Sequence, residues 1–119
     1  LLGREQLKQY IRISRELGLS ALVEAHSEEE VSMAADAGAG IIGINNRNLK
    51  TFEVDFSNAL KLRRLVGPDT IFVAESGIRT ARDIEALAEA EVDAVLIGET
   101  LMRAPDRKAA LAELKRGCR

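Results

Sequence analysis

The chain has 119 residues, 46% of them hydrophobic and 30% charged, and a formal net charge of −2. These values are typical of one soluble globular domain spanning residues 1–119, and they exclude a disordered chain. They give no electrostatic basis for binding nucleic acid or an anionic membrane, and no apolar run approaches the ~20 residues of a transmembrane helix. The single cysteine, Cys118, cannot form an internal disulfide, so we expect a cytoplasmic protein.

The first third of the chain predicts a helix, a strand and a second helix. Apolar residues at helical spacing indicate an amphipathic helix over residues 5–17, which Gly18 ends. A strand is expected at residues 21–24. Ser27 and Glu30 have the spacing of a capping box at the start of the second helix. The residues expected on the buried stripes of the two helices are Leu7, Tyr10, Ile11 and Leu17, then Val31, Ala34 and Ala35.

The remainder predicts three more strands, each followed by a helix. Strands are expected at 41–45, 70–75 and 92–97. Helices are expected at 56–66, from Thr80 onward and at 108–114. Asp55 is the predicted N-cap of the first of these helices. The connection at 46–54 is long and polar, which is typical of functional loops inside compact domains.

Strand and helix thus alternate with a repeat of 20 to 30 residues, which predicts a parallel α/β sheet with right-handed crossovers. Periodicity alone does not distinguish an open doubly wound sheet from an arc of a barrel. The first strand is not followed by Gly-x-Gly-x-x-Gly, which disfavours the dinucleotide-binding form of the doubly wound fold.

Each predicted strand changes abruptly from apolar to polar residues at its carboxyl end. The four endings are Val23–His26, Gly43–Leu49, Ala74–Ile78 and Ile97–Met102. Because α/β proteins place their chemistry at the carboxyl ends of parallel strands, we expect the polar side chains of these endings to share one face.

The polar residues of the first two endings have both functional and structural interpretations. Glu24 fits a general acid or base, although a salt bridge to a lysine or arginine would also explain it. Asn45 can bind a substrate hydroxyl or close a turn. Arg47 can pair with a carboxylate or phosphate, or lie in solvent. His26 stands one position past the strand, and we expect it to have a surface or loop role.

The last two endings combine glycine with polar residues. Ser76 has no nucleophile-elbow pattern around it, so it suits hydrogen bonding to a substrate better than nucleophilic attack. Glu75 fits a second carboxylate or a brace for a lysine. Gly77 and Gly98 allow backbone N–H groups to approach a phosphate, and a short helix is expected near Glu99. A purely structural role remains open for both glycines.

The motifs at 43–49, 74–78 and 97–102, together with Thr51–Asp55, resemble those of the indole-3-glycerol phosphate synthase family, TIM-barrel enzymes of tryptophan biosynthesis. The resemblance implies an α/β fold of the (βα)8 TIM-barrel family, here only its C-terminal half. In that interpretation the chain contains helix 4 followed by βα units 5–8. A complete barrel typically needs about 250 residues.

The resemblance also implies a carboxy-lyase that needs no metal or organic cofactor. Its substrate would be 1-(2-carboxyphenylamino)-1-deoxyribulose 5-phosphate, converted to indole-3-glycerol phosphate, carbon dioxide and water. The implied site residues are Glu24, Asn45 and Ser76 as catalytic, Arg47 and Glu75 as substrate-binding, and Gly77, Gly98 and Glu99 as phosphate-binding. The family's lysines on the first and third strands, and its glutamate on the first, have no counterpart in this sequence.

A half barrel would expose two strand edges and the apolar inner face of its sheet. We therefore expect the chain to be inactive alone and to need the missing N-terminal half-barrel or a second copy of itself. No nucleic acid or membrane partner is expected. Two alternatives remain open: a non-catalytic half-barrel module that dimerises and at most binds phosphate, and another sugar-phosphate-binding barrel enzyme.

Overall fold

The structure, a computed structural model, describes residues 2–47, 51, 55 and 57–118. Its elements are α1 (Arg4–Glu16), β1 (Leu22–Ala25), α2 (Glu28–Asp36), β2 (Ile41–Asn45), α3 (Ser57–Leu62), a 3₁₀ helix (Arg63–Leu65), β3 (Ile71–Glu75), α4 (Ala81–Glu89), β4 (Ala94–Leu96), α5 (Glu99–Arg103) and α6 (Arg107–Lys115). Most of the long connection predicted at 46–54, namely 48–50 and 52–54, lies outside the described residues.

The four strands form one parallel sheet whose order, β1-β2-β3-β4, is the order along the chain. One face is buried, with 0% exposure at Ala25, Ile42, Ile44, Phe72 and Ala74. On the opposite face, 44%, 48% and 54% exposure is found at Leu22, Ile71 and Leu96. The helices therefore cover only one face, as in an arc of a barrel, whereas a doubly wound sheet is covered on both faces.

The helical layer buries a narrower stripe of α1 than the sequence predicts. Leu7 and Ile11 are buried as expected, but Tyr10 is 48% and Leu17 69% exposed. Because α1 precedes the edge strand β1 and packs beside α2 at the margin of the layer, only part of its apolar surface is covered. Ala35 of α2, also predicted to be buried, is exposed.

Side-chain caps define where α2 and α4 begin. Ser27 Oγ accepts a hydrogen bond from the Glu30 N–H at 3.3 Å, as predicted. The Glu30 carboxylate, however, accepts the N–H of His26 at 2.7 Å, so the capping box predicted there is only half formed. The capping box of α4 is complete, with Thr80 and Asp83 each accepting a backbone N–H from the other.

Two other elements differ from their predicted bounds for local reasons. Asp55 accepts the N–H of Ser57 at 3.0 Å and so caps α3, but that helix tightens into the 3₁₀ turn at Arg63. The Arg63 side chain donates to the Val66 carbonyl at 2.8 Å, which stabilises this tight end. Strand β4 is shorter than predicted at both ends, and the carboxylate of Asp93, just before it, accepts the N–H of Phe72 at 2.8 Å. None of the helices in the described ranges has the length and apolar character to cross a bilayer.

Candidate functional site

Three predicted site residues lie side by side at the carboxyl ends of β1, β2 and β3. The strand register pairs Glu24 with Gly43, and Asn45 with Glu75. The side-chain amide of Asn45 donates a hydrogen bond to Glu24 Oε1 at 3.1 Å. The parallel sheet thus brings together polar residues that are far apart in the sequence.

Gly43 makes room for this arrangement. A Cβ atom at position 43 would collide with Glu75 Oε1 and would lie 3.1 Å from Leu22 Cδ1. The Glu75 side chain therefore occupies the inner face of the sheet above Gly43 and extends from β3 toward Glu24. Gly43 is absent from the predicted site residues, and its only sequence signal is a glycine inside an otherwise apolar strand, which marks a close approach.

The Glu75 carboxyl group lies in an environment that disfavours its charge. Burial raises the pKa of Glu75 above its ordinary value, and the neighbouring Glu24 raises it further through its charge and a hydrogen bond, while His26 opposes the shift. Within the described part of the chain, Glu75 Oε1 is buried and has no hydrogen-bond partner. Glu75 therefore keeps its proton to a higher pH than an exposed glutamate, and as an acid it can donate to Glu24.

We expect Glu75→Gln to stabilise the chain at neutral pH by about 1 kcal/mol, because a buried charge is replaced by an amide that can donate to Glu24. The folded chain holds the Glu75 proton more tightly than the unfolded chain, so stability falls as the pH rises from 4.5 through the raised folded pKa. Glu75→Gln should lack the part of this pH-dependent loss of stability that comes from Glu75. Urea denaturation at a series of pH values measures it, with the exposed Glu85→Gln as the control. Parallel stability curves for Glu75→Gln and the parent would contradict the expectation.

Arg47 connects the end of β2 to the start of α5. Its backbone N–H donates to Asn45 Oδ1 at 2.9 Å, so the Asn45 side chain contacts both Glu24 and Arg47. The Arg47 guanidinium forms an ion pair with Glu99, whose other oxygen is bound by Arg103 Nε at 3.0 Å. The two arginines neutralise Glu99, which reduces the repulsion that a lone carboxylate would exert on a phosphate.

Asn46 holds the loop that follows β3. Ser76 and Gly77 both have left-handed backbones, with φ of 65° and 77°, and this conformation is strained for serine. The Asn46 side chain donates to the Ser76 carbonyl at 3.1 Å and accepts the N–H of Ala59 at 3.1 Å, while its backbone N–H donates to the Glu75 carbonyl at 2.8 Å. Asn46 is only 3% exposed. It was not among the predicted site residues, although it lies between two of them, Asn45 and Arg47, in the Asn-Asn-Arg motif.

A cleft of about 910 Å³ opens at the carboxyl edge of β3 and β4. Six predicted site residues line it: Arg47, Glu75, Ser76, Gly77, Gly98 and Glu99. Arg79 and Arg103 add positive charge to the same cleft. Glu24 and Asn45 lie outside this lining. Glu75 lines the cleft and also interacts with Glu24, so it connects Glu24 and Asn45 to the cleft.

His26 lies in a loop, as expected, and that loop adjoins the site. It follows β1 directly, and its side chain, 29% exposed, lies between the carboxylates of Glu24 and Glu30. Among the residues that the structure describes, no group of histidine, cysteine, aspartate and glutamate side chains is arranged to hold a metal ion.

Comparison with known sequences identifies the family. The family model described as indole-3-glycerol phosphate synthase matches residues 1–114. The chain belongs to this family. The matched segment includes every predicted site residue, from Glu24 to Glu99.

Individual synthases are similar to nearly the whole chain. The protein named indole-3-glycerol phosphate synthase from Ruminiclostridium cellulolyticum is 60% identical over 115 residues. Those from Lachnoclostridium phytofermentans and Leuconostoc mesenteroides are 56% and 51% identical. Each comparison covers 97% of this chain but only 42% to 44% of the relative. The chain therefore spans less than half the length of the synthases it matches.

Solved structures confirm the predicted fold class. The 3-hexulose-6-phosphate synthase of Salmonella typhimurium matches with a TM-score of 0.81 at 14% identity, over 98% of this chain and 57% of that one. A thiamine phosphate pyrophosphorylase from Pyrococcus furiosus matches with a TM-score of 0.75 at 21% identity, over 93% and 53% of the two chains. Both are TIM-barrel enzymes. At such low identity the likeness concerns the fold alone.

Proposed function

We propose that this chain provides the acid–base centre and part of the phosphate site of an indole-3-glycerol phosphate synthase. The observation that supports the proposal is the convergence of Glu24, Asn45 and Glu75 at one edge of the sheet, in a chain of this family. The substrate would be 1-(2-carboxyphenylamino)-1-deoxyribulose 5-phosphate. The products would be indole-3-glycerol phosphate, carbon dioxide and water.

The chemistry of ring closure needs a positioned proton donor. Closure joins a carbon of the aromatic ring to the ribulose carbonyl carbon, so the π bond of that carbonyl breaks and its oxygen takes up a proton to become a hydroxyl group. The bond to the ring carboxylate then breaks and releases carbon dioxide, and its electron pair restores the aromatic ring. The hydroxyl group takes up a second proton and leaves as water, while the neighbouring carbon loses a proton. A carboxyl group within hydrogen-bond reach of that oxygen accelerates such a step. We assign this proton transfer to Glu24, whose orientation Asn45 fixes through its amide. Ser76 would complete the catalytic set by hydrogen bonding to the reacting part of the substrate.

We assign binding of the phosphate group to the cleft. Backbone N–H groups near Gly77, Gly98 and Glu99, which line the cleft, would bind it, as in barrels that bind phosphate after their last two strands. Arg47 and Glu75 would bind the remainder of the substrate between the cleft and Glu24. The Arg79 and Arg103 side chains make the cleft more attractive to an anion.

The exposed inner face of the sheet supports a role for a further half barrel. Leu22, Ile71 and Leu96 leave apolar surface open to solvent on the side that the helices do not cover. A missing N-terminal half-barrel, or a second copy of this chain, would bury that face and pair the edges of β1 and β4. We therefore propose that the chain alone binds the substrate without converting it.

A chimera tests the proposed function. The matching 115-residue segment of the Ruminiclostridium cellulolyticum synthase would be replaced by this chain, and product fluorescence followed over time. We expect the chimera to form indole-3-glycerol phosphate and this chain alone to form none, while calorimetry detects binding of the substrate to both. A folded chimera without turnover would contradict the assignment of the site. Turnover by the chain alone would contradict the need for a second half barrel.

A further inference from the structure

The sole histidine of the chain links two carboxylates at the edge of the site. His26 Nε2 lies 3.2 Å from Glu24 Oε1, and His26 Nδ1 lies 3.4 Å from Glu30 Oε2. The same Glu30 oxygen accepts the backbone N–H of His26 at 2.7 Å. The imidazole is therefore placed between a strand residue proposed to carry proton transfer and a helix residue outside the cleft.

The backbone of His26 is held on both sides, which fixes where its ring can lie. Its N–H is bound by Glu30 of α2, and its carbonyl accepts the side-chain amide of Asn58 of α3 at 3.3 Å. Nε2 is buried from solvent and makes no contact with hydrogen-bond geometry in the described part of the chain, so Glu24 Oε1, at ion-pair distance, is the polar group it faces. Such a buried nitrogen is costly unless it interacts with that carboxylate.

Two groups converge on the same oxygen of Glu24. Asn45 Nδ2 lies 3.1 Å from Oε1 on the side of β2, and His26 Nε2 lies 3.2 Å from it on the side of α2. Glu75 approaches the Glu24 carboxyl group from β3. Side chains from β2, from the loop after β1 and from β3 therefore limit how the Glu24 carboxyl group can turn.

We propose that His26 is a positioning residue for Glu24, and that Glu30 in turn positions the imidazole of His26. This proposal rests on the role assigned to Glu24 in the proposed function. A carboxylate–imidazole–carboxylate row of this kind fixes the ring orientation and limits rotation of the Glu24 carboxyl group, in the way that a partner carboxylate orients a metal-bound histidine. The row is built from β1, the loop after it and the first turn of α2.

Nuclear magnetic resonance of the full chain tests the contacts without requiring turnover. Because His26 is the sole histidine, the ring nitrogen signals belong to it alone. At one fixed pH we expect Glu24→Gln to shift the Nε2 resonance, Glu30→Gln to shift the Nδ1 resonance, and the exposed Glu28→Gln on the same turn of α2 to leave both unchanged. Unchanged ring signals in Glu24→Gln, with the amide spectrum still that of the folded chain, would overturn the proposal.

Kinetics of the chimera then distinguish a positioning role of His26 from an effect of its substitution on folding. His26→Ala should lower kcat by about 10-fold with little change in KM, since a side chain that orients a reacting group typically contributes 10- to 100-fold. His26→Gln should recover part of the loss because its amide can still donate to Glu24. Equal kcat for the parent and His26→Ala would overturn the positioning role. A chimera that is inactive before any His26 substitution would contradict the proposed function, and the ring signals would still decide whether His26 orients Glu24.

Discussion

Glu24→Gln is expected to lower kcat of the chimeric synthase by about 10²- to 10⁴-fold, which is the usual contribution of a positioned general acid or base. Glutamine has the shape of glutamate and can keep the contact with Asn45, which now measures 3.1 Å. It cannot, however, exchange a proton at neutral pH. The loss should therefore appear in kcat, with KM changed much less, because substrate binding is assigned to Arg47, Glu75 and the cleft.

The control for Glu24→Gln is Glu28→Gln, an exposed carboxylate four residues further along the chain. It removes the same charge close to the same strand but outside the site, so its kcat should stay within about twofold of the parent. Initial rates of product fluorescence over a range of substrate concentrations measure both variants. Comparable activities for Glu24→Gln and Glu28→Gln would show that Glu24 does not transfer the proton. Glu24 would then have only a structural role, as part of an ion pair.

Asn46→Leu is expected to lower the free energy of unfolding of the chain by about 2–4 kcal/mol, because it leaves one buried and one half-buried backbone group without their partner. Those groups are the Ser76 carbonyl and the Ala59 N–H, bound by Asn46 at 3.1 Å each. The substitution also removes the contact that holds Ser76 at its strained φ of 65°. We therefore expect weaker substrate binding at the cleft as well as lower stability.

The control for Asn46→Leu is Asn58→Ala, which removes one half-buried hydrogen bond to the His26 carbonyl at 3.3 Å. Its cost should be about 1 kcal/mol, the net value of a single hydrogen bond. Urea denaturation followed by circular dichroism gives both free energies, and calorimetry with the substrate gives the change in binding. Equal costs for the two variants would mean that Asn46 does not anchor the strand ends to α3.

The site shows that polar strand endings predict which residues lie at the site better than they predict which of those residues contact one another. Polar residues after apolar runs marked Glu24, Asn45, Glu75 and Ser76, and the structure places all four at one edge of the sheet. The same pattern did not predict Gly43 or Asn46. Gly43 matters only because a side chain from the next strand crosses it, and Asn46 only because it is buried between two strand ends and a helix.

His26 illustrates the same limit for a titratable residue. Its position one residue past β1, beside a capping serine, is equally consistent with a solvated loop and with a role in the site. In the structure the Glu30 carboxylate accepts the N–H of His26, not the Ser27 N–H that a complete capping box would use, and the His26 ring lies between Glu24 and Glu30. No local pattern distinguishes these two hydrogen bonds, because they involve adjacent donors within reach of the same carboxylate.

The sequence by itself determined the alternation of strands and helices, because periodicity, caps and turn residues act over a few neighbouring residues. Strand β2 has the predicted bounds, and Thr80, Ser27 and Gly18 mark helix ends as expected. Local signals also located the polar strand endings, since the change from apolar to polar residues is itself a local feature.

Only the tertiary structure decided how these elements meet. That the strands follow chain order and that helices cover a single face depend on crossovers and register between distant segments, for which periodicity contains no information. The same is true of Tyr10 and Leu17, whose exposure reflects the position of α1 at the margin of the helical layer. The passage of Glu75 over Gly43, which raises the pKa of that carboxyl group, likewise depends on which residue lies on the adjacent strand.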